Sequence, residues 1–525
     1  MVEAQLSLRR NILDIQTDYE QGNRKELSDL LRAWKGIKEL PVEDPKSFYN
    51  IAGYHGLPFT GKIEPGNSKW WGGYCNHGNV LFPSWHRAYL HNIEKALQSI
   101  EGCQNVRLAF LDQTSEETKS RGLPWVFTVP KIVLDDGTEI DNPILHYKLQ
   151  KELADTAIVD GYDYSKPKGY TTVRYPLSGL YGTENDIINT VKHNSQFDHN
   201  SQVTLLNLNV TNWLNSQQTA VAEKYNQCLQ IPNYTLFSNT TSAGQFNRDH
   251  PDHPVIVPLE NPHNWMHLCI GGFTSQDGNV RDPIAYTVGS NGDMGENETA
   301  AFDPIFFFHH CWIDLVFWKW QQLHDATTHF DVEKGYPGTN TSDTGVQVNA
   351  DQNEDEELNI DSPLHPFINE ATGALYTTRD VTNIENLGYQ YGPNSLDLVQ
   401  LPADDQKAES LKGTVVAKKR LEVKGINRAY IQGSFIVAQY EIIDGERQFI
   451  GAEPILSRWN VLSCSNCHYH LDVKAYFDVD TIEGVPSNKR IFQTQCVTRQ
   501  GIQNLPSVFR TESYSYEDYS CEILN

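Results

Sequence analysis

The sequence has no apolar run approaching the roughly 20 residues that a membrane-spanning helix requires. Its first residues, MVEAQLSLRRNILDIQ, contain no apolar signal core and no small-residue cleavage site. A cytoplasmic protein without a membrane partner is therefore expected. Positive charge is scarce: 42 Lys and Arg stand against 67 Asp and Glu, a net charge of -25. That balance opposes binding to nucleic acid or an anionic bilayer and mainly favours solubility. Cysteine is sparse and odd in number, nine in 525 residues. Without a secretion signal this does not read as a disulfide framework, and metal or redox roles move forward. The sequons at Asn209 and Asn233 would stay unused in the cytosol. No internal repeat is found.

The length suits roughly two or three domains with at least one sizeable core. Residues 6–35 read as one or two amphipathic helices, with Leu6, Ile12, Ile15, Leu27, Leu30 and Leu31 inward and Arg9 and Arg10 near the start. Residues 50–74 are loop-like and carry His55 in GYHGLPF. Short helical patterns fill 183–255, and 325–362 is polar with an acidic run. Residues 396–413 read as a linker. From about 414 the pattern alternates in the manner of strands (RLEVKGI, SFIVAQYEII, HLDVKAYFDV, KRIFQTQCV), which predicts a small β domain, a sandwich, over 414–525. It contains Cys464 and Cys467 as CSNC.

Three apolar stretches concentrate the chemistry. In YCNHGNVLFPSWHRAYL, His77 follows Cys75 by two residues, and His86 lies on a helix whose Trp85, Tyr89, Ile93 and Leu97 recur every fourth position. In LENPHNWMHLCIGG, Asn261 and Pro262 suit a helix start, and His263 and His267 lie one turn apart. Two imidazoles at that spacing can grip one metal ion, but Asn264 stands where a zinc protease needs glutamate. In FDPIFFFHHCWIDLVFWKWQQ, a helix apolar nearly all round carries His309, His310 and, one turn beyond, Asp314. A buried carboxylate there could orient an imidazole by accepting its other N–H. Buried imidazoles need partners, and neutral imidazole is a common metal ligand. His55, His77 and His86 from one half and His263, His267 and His310 from the other make two sets of three. All-imidazole ligation fits Cu, Zn, Fe or Ni, with copper first on raw affinity.

These motifs, HGLPF, CNHGNVLFPSWHR, ENPHNWMH and DPIFFFHHCWID, resemble those of the type 3 copper proteins, and most closely the fungal tyrosinases (polyphenol oxidases). The resemblance covers roughly residues 5–395 and, more weakly, the β domain. It implies a mainly α catalytic domain over 1–395, a four-helix bundle holding a dicopper centre. One copper would be held by His55, His77 and His86, the other by His263, His267 and His310, the later histidine of the HH pair. It further implies a thioether between Cys75 and His77, and a stacking of Arg9 or Arg10 on Tyr389 or Tyr391 of NLGYQYG. O2 is the implied co-substrate, with small phenols such as tyrosine, DOPA and catechols.

On that resemblance, monophenols are hydroxylated to o-diphenols and oxidised to o-quinones, in pigment (melanin) formation. Glu260 and Asn264 are expected to hold the water that takes the phenol proton. The β domain resembles a shield removed by an activating protease, and Cys464 and Cys467 resemble a copper-delivery pair. Rival readings are a catechol oxidase, a haemocyanin-like oxygen carrier and a zinc hydrolase.

Overall fold

The structure, a computed structural model, describes residues 6–58, 73–154, 164–276, 279, 281–341, 356–401, 418–461, 471–480, 490–504 and 520–524. The expected N-terminal helices form over Ile12–Glu20 and Lys25–Glu39, preceded by a short strand, Ser7–Arg9. The second helix turns Leu27, Leu30, Leu31, Trp34 and Ile37 inward, the three-to-four spacing of an amphipathic helix.

Three helices form the centre of the helical region. Phe82–Gln98 begins with proline in its first turn and buries Trp85, Tyr89, Ile93 and Leu97, as their spacing predicts. Glu260–Gly271 is buried along its whole length. Ile305–Leu323 is buried from Ile305 through Phe317. Asp303 accepts the Ile305 N–H at 3.1 Å, while Arg174 neutralises the same carboxylate at 2.7 Å. At the helix Glu260–Gly271 the expected cap does not form: the Asn261 side chain donates to Glu453 of the C-terminal region at 2.8 Å. The helix already begins at Glu260, so Asn261 lies within its first turn rather than at the cap position, and its Oδ1 is enclosed without a partner.

The two ends of the helical region meet. Ser7–Arg9 pairs in parallel with Tyr389–Tyr391, Arg9 opposite Tyr391. The Arg9 guanidinium lies 3.5 Å from the centre of the Tyr389 ring, so the stacking partner is Arg9. Arg10 turns the other way, to Asp18 and Glu26.

The C-terminal region is β-sheet. A three-stranded antiparallel sheet has the order Asp472–Asp480, Lys418–Asn427, Ser520–Leu524. A four-stranded one has the order Glu446–Ile455, Phe435–Ile443, Ile491–Thr498, Gly501–Asn504. Leu421, Val423, Phe477 and Cys521 of the first share one apolar core with Phe435, Val437, Ile455 and Cys496 of the second. Residues 402–413 of the expected linker lie outside the described residues, and Leu396 at its start is buried in the core of the helical region.

The two regions are joined by buried polar contacts. Arg499 donates to Gly271 O at 2.8 Å and Gly295 O at 3.1 Å, and pairs with Glu296 at 3.0 Å. The Trp459 N–H donates to Glu298 Oε1 at 2.6 Å. No helix among the described residues is long and apolar enough to cross a membrane.

Candidate metal centre

His55, His77, His86, His263, His267 and His310 converge in the middle of the helical core, and all but His77 are essentially sealed from solvent. Backbone or side-chain oxygens hold Nδ1 of four of them: His55 at 3.3 Å from Asn297 O, His86 at 2.8 Å from Phe82 O, His267 at 2.8 Å from Met294 O, and His263 at 2.9 Å from Asn264 Oδ1. An imidazole that donates from Nδ1 carries its lone pair on Nε2. The Nε2 atoms of His263 and His267 each lie 3.3 Å from Nε2 of His310. The enclosed Nε2 atoms of His55 and His86 have no hydrogen-bond partner. Buried acceptors aimed at one another are unfavourable unless a cation sits among them.

The electrostatics keep these rings fit to ligate. Burial, aided by the neighbouring imidazoles, pushes His55, His77, His263 and His310 far below the ordinary histidine range; burial, joined by His267 in the case of His86, brings His86 to about 3 and His267 to about 4, against a hydrogen bond to a backbone oxygen that pulls each back up. All are neutral near pH 7, the state in which imidazole binds metal.

The two sets of three touch. The His86 ring stacks on His310 with centroids 4.3 Å apart and planes 16° apart, and His77 lies 5.4 Å from His263. Potential donor atoms of His263, His267, His309 and His310 lie within 4.8 Å of one another, as do those of His55, Cys75 and His77. His86 flanks the latter group, its ring 5.4 Å from His77 and 5.8 Å from His55.

His309 was passed over in the sequence and belongs to the cluster. Its Nδ1 lies 2.7 Å from Gln113, whose Oε1 accepts from the Tyr225 hydroxyl at 2.5 Å, and its Nε2 is enclosed without a partner. The available signal was its adjacency to His310. On an otherwise apolar helix, a second histidine also needs a partner.

Asp314 corrects an expectation. Its carboxylate orients no imidazole. It accepts from Arg87 Nε at 2.5 Å, from Tyr389 and Tyr391 hydroxyls at 2.6 Å each, and from Arg9 at 3.3 Å. Four residues advance a helix by about 6 Å, and that axial offset carries Asp314 from the histidines to the chain ends. Burial pushes its pKa up, but Arg87 and Arg9 hold it below the ordinary 3.8. The polar atoms that do orient the imidazoles are mostly main-chain carbonyls, which sequence does not display.

Glu260 and Asn264 flank the cluster as expected. Glu260 is buried; Oε1 accepts from the Gly78 N–H at 2.8 Å, and Oε2 from the N–H and hydroxyl of Thr240 at 2.9 Å each. Gly78 presents that N–H from a positive φ of 75°, open to glycine at little cost. Burial pushes Glu260 up, and these hydrogen bonds draw it back down. Both residues line a cavity of about 780 Å³ that reaches His77 on one side and the C-terminal region on the other. Cys75 is buried, its thiol pushed up by burial to about 11. Cys464 and Cys467 lie outside the described residues.

The pattern described as the common central domain of tyrosinase matches residues 45–323, which span all of these histidines. The chain belongs to the tyrosinase family. A tyrosinase of Hahella sp. (strain CCB-MM4), HcTyr2, is 45% identical over 516 residues, 91% of this chain and 89% of that one. A tyrosinase of Aspergillus oryzae is 40% identical over 491 residues, 86% of each chain. The solved tyrosinase from Burkholderia thailandensis at low pH superposes with a TM-score of 0.80 at 42% identity, covering 94% of this chain and 96% of that one. This tyrosinase-family enzyme is thus a binuclear copper oxidase that uses O2, and the histidine clusters fit the metal: neutral, convergent, and otherwise left with unsatisfied nitrogens.

Proposed function

We propose that the enzyme hydroxylates monophenols and oxidises the resulting o-diphenols to o-quinones. Overall, a monophenol and O2 give an o-quinone and water, and the quinones feed pigment formation. The carrying observation is that His86 stacks on His310, which brings two histidine sets close enough to serve one O2. We assign one copper to His55, His77 and His86 and the other to His263, His267 and His310. His310 is chosen over His309 because its Nε2 meets those of His263 and His267. Copper, when bound, supplies the oxygen and redox chemistry. The chain supplies the rest. Asn264 holds the His263 ring, and Glu260, fixed by three donors, accepts the phenol proton through a water at the cavity wall. Cys75, whose sulfur lies within 4.8 Å of a His77 ring nitrogen, would form a thioether that locks that ring, its S–H and a ring C–H giving way to an S–C bond with O2 as the two-electron oxidant.

The architecture proposed with this function has the helices Lys25–Glu39, Phe82–Gln98, Glu260–Gly271 and Ile305–Leu323 as the bundle and the two C-terminal sheets as a sandwich covering the site. Proteolysis near 395–415 relieves that cover.

The test is oxygen uptake by the copper-loaded chain, before and after limited proteolysis, with L-tyrosine and with L-DOPA. Uptake on both supports the reading. Uptake on DOPA alone makes the protein a catechol oxidase, and reversible O2 binding without uptake on either makes it a carrier. Copper counts for His309→Ala and His310→Ala decide between those two histidines.

A further inference from the structure

The helix Glu184–Asn194 turns its polar side inward and its apolar side outward. Its buried residues are Thr190 and His193. The Thr190 hydroxyl donates to Leu180 O at 2.8 Å, and His193 Nε2 lies 2.7 Å from Pro176 O. Ile187, Ile188 and Val191 instead stand in solvent, 39%, 64% and 59% exposed. A surface helix ordinarily does the reverse. Gly289 packs so closely on His193 that a β-carbon there would lie 2.8 Å from Nδ1, which brings Val288, 81% exposed, to the flank of the same helix. None of these residues lines the cavity at the metal centre. Branched apolar side chains grouped in water mark a contact surface.

The charges on this helix say what covers it. Glu184, Ile188 and Lys192 follow one another at intervals of four along one ridge, with Ile187 and Val191 on the next. Ile188 is the midpoint, and Glu184 and Lys192 lie about 6 Å along the axis to either side. Neither makes an ion pair among the described residues. A second copy of the helix, antiparallel across a two-fold axis at Ile188, sets the two Ile188 side chains together and each Glu184 against the partner's Lys192. The same arrangement lays the acidic first turn, with Glu184 and Asp186, beside the C-terminal end of the opposing helix dipole. Branched side chains are stiff and lose little freedom on contact. A bilayer does not fit, because interfacial helices carry a basic polar face, whereas this helix sets two acids against one lysine in a chain of net charge -25.

We infer that Glu184–Asn194 is the docking surface for a second copy of this chain, in a two-fold antiparallel helix pair centred on Ile188. A contact between two three-turn helices lies at the small end of protein interfaces, so the dimer is weak, with a Kd on the order of 10 µM. The pairing is independent of the chemistry at the metal centre.

The experiment is sedimentation equilibrium of the full-length copper-loaded chain over a concentration range of about 1 to 100 µM, which brackets that Kd. The parent mass is expected to rise from one chain toward two. Ile188→Asp should stay monomeric throughout, because it sets two carboxylates face to face in an apolar contact. Glu184→Lys and Lys192→Glu should each raise Kd about tenfold, since each creates two like-charge contacts across the axis. The double variant Glu184→Lys with Lys192→Glu should return Kd to within about threefold of the parent value, since both pairs are then restored with their signs exchanged. That recovery requires position 184 to face position 192; in a parallel pair each position would face itself, and the double reversal would restore nothing. A parent that is monomeric at every concentration, a dimer that survives Ile188→Asp, or a double variant no tighter than the single ones overturns the inference.

Discussion

On the Phe82–Gln98 helix, His86 turns to the histidine cluster while its neighbour Arg87 turns to Asp314; on the Ile305–Leu323 helix, His310 and Asp314 divide in the same way. The same two helices thus carry two buried polar clusters back to back. One carries its own counter-charges. Arg9, Arg87 and, 3.6 Å from Glu94, Arg107 face Glu94 and Asp314, and Tyr389, Tyr391 and Gln321 add hydrogen bonds. The other is deliberately incomplete in chemical terms: neutral rings, lone pairs inward, no counter-charge among them. The first finds its counter-charges within the chain and is structural. The second is satisfied only by cations that the chain does not encode. Unfilled coordination capacity, rather than burial or polarity, separates the functional cluster from the scaffold.

The sharpest break is expected at His267. His267→Ala should lower catechol oxidation by on the order of a thousandfold or more and remove about one copper per chain, measured by oxygen uptake and metal analysis. Full copper content in that variant would move the second site elsewhere. Asp314→Asn should act in the opposite manner. It leaves Arg9 and Arg87 buried without their shared anion, at a cost of about 3–5 kcal/mol in denaturant titrations, with copper content kept. Its pH signature follows from a carboxylate held below 3.8 in the folded state. The stabilisation is present above the unfolded value and lost as pH falls through the lower folded one, so parent and variant curves should converge only below about pH 3.8. A gap that closes already near neutrality would assign the effect to another group. The smallest effect is expected one residue from Arg9. Arg10 pairs with Asp18 and Glu26 at the surface, so Arg10→Ala should cost less than about 1 kcal/mol. A loss as large as that for Asp314→Asn would mean that the two neighbours share one network.

Sequence showed the histidine cluster well because long apolar helices have a strong period, and a histidine within one stands out. The stacking of an N-terminal arginine on the tyrosines near 390 was legible from the motif, though not which arginine. Asp314 was misread because four residues along a helix suggest a shared face, while its true partners lie more than 70 residues away in sequence at Tyr389 and Tyr391 and more than 200 away at Arg87. The strand Glu446–Ile455 escaped notice: it sits at the edge of its sheet and carries Gly451 and Pro454, which weaken the alternating pattern.

The parallel pairing of Ser7–Arg9 with Tyr389–Tyr391 has a bearing on which parts of the chain complete the buried cluster. Arg9 and its hydroxyl partner Tyr391 are separated by 382 positions in the chain. Without that segment Asp314 lacks the hydroxyl donors of Tyr389 and Tyr391. The hydrogen-bonded set around Asp314 is therefore complete only once the chain reaches residue 391, so the far end of the helical region closes the cluster that its first strand opens.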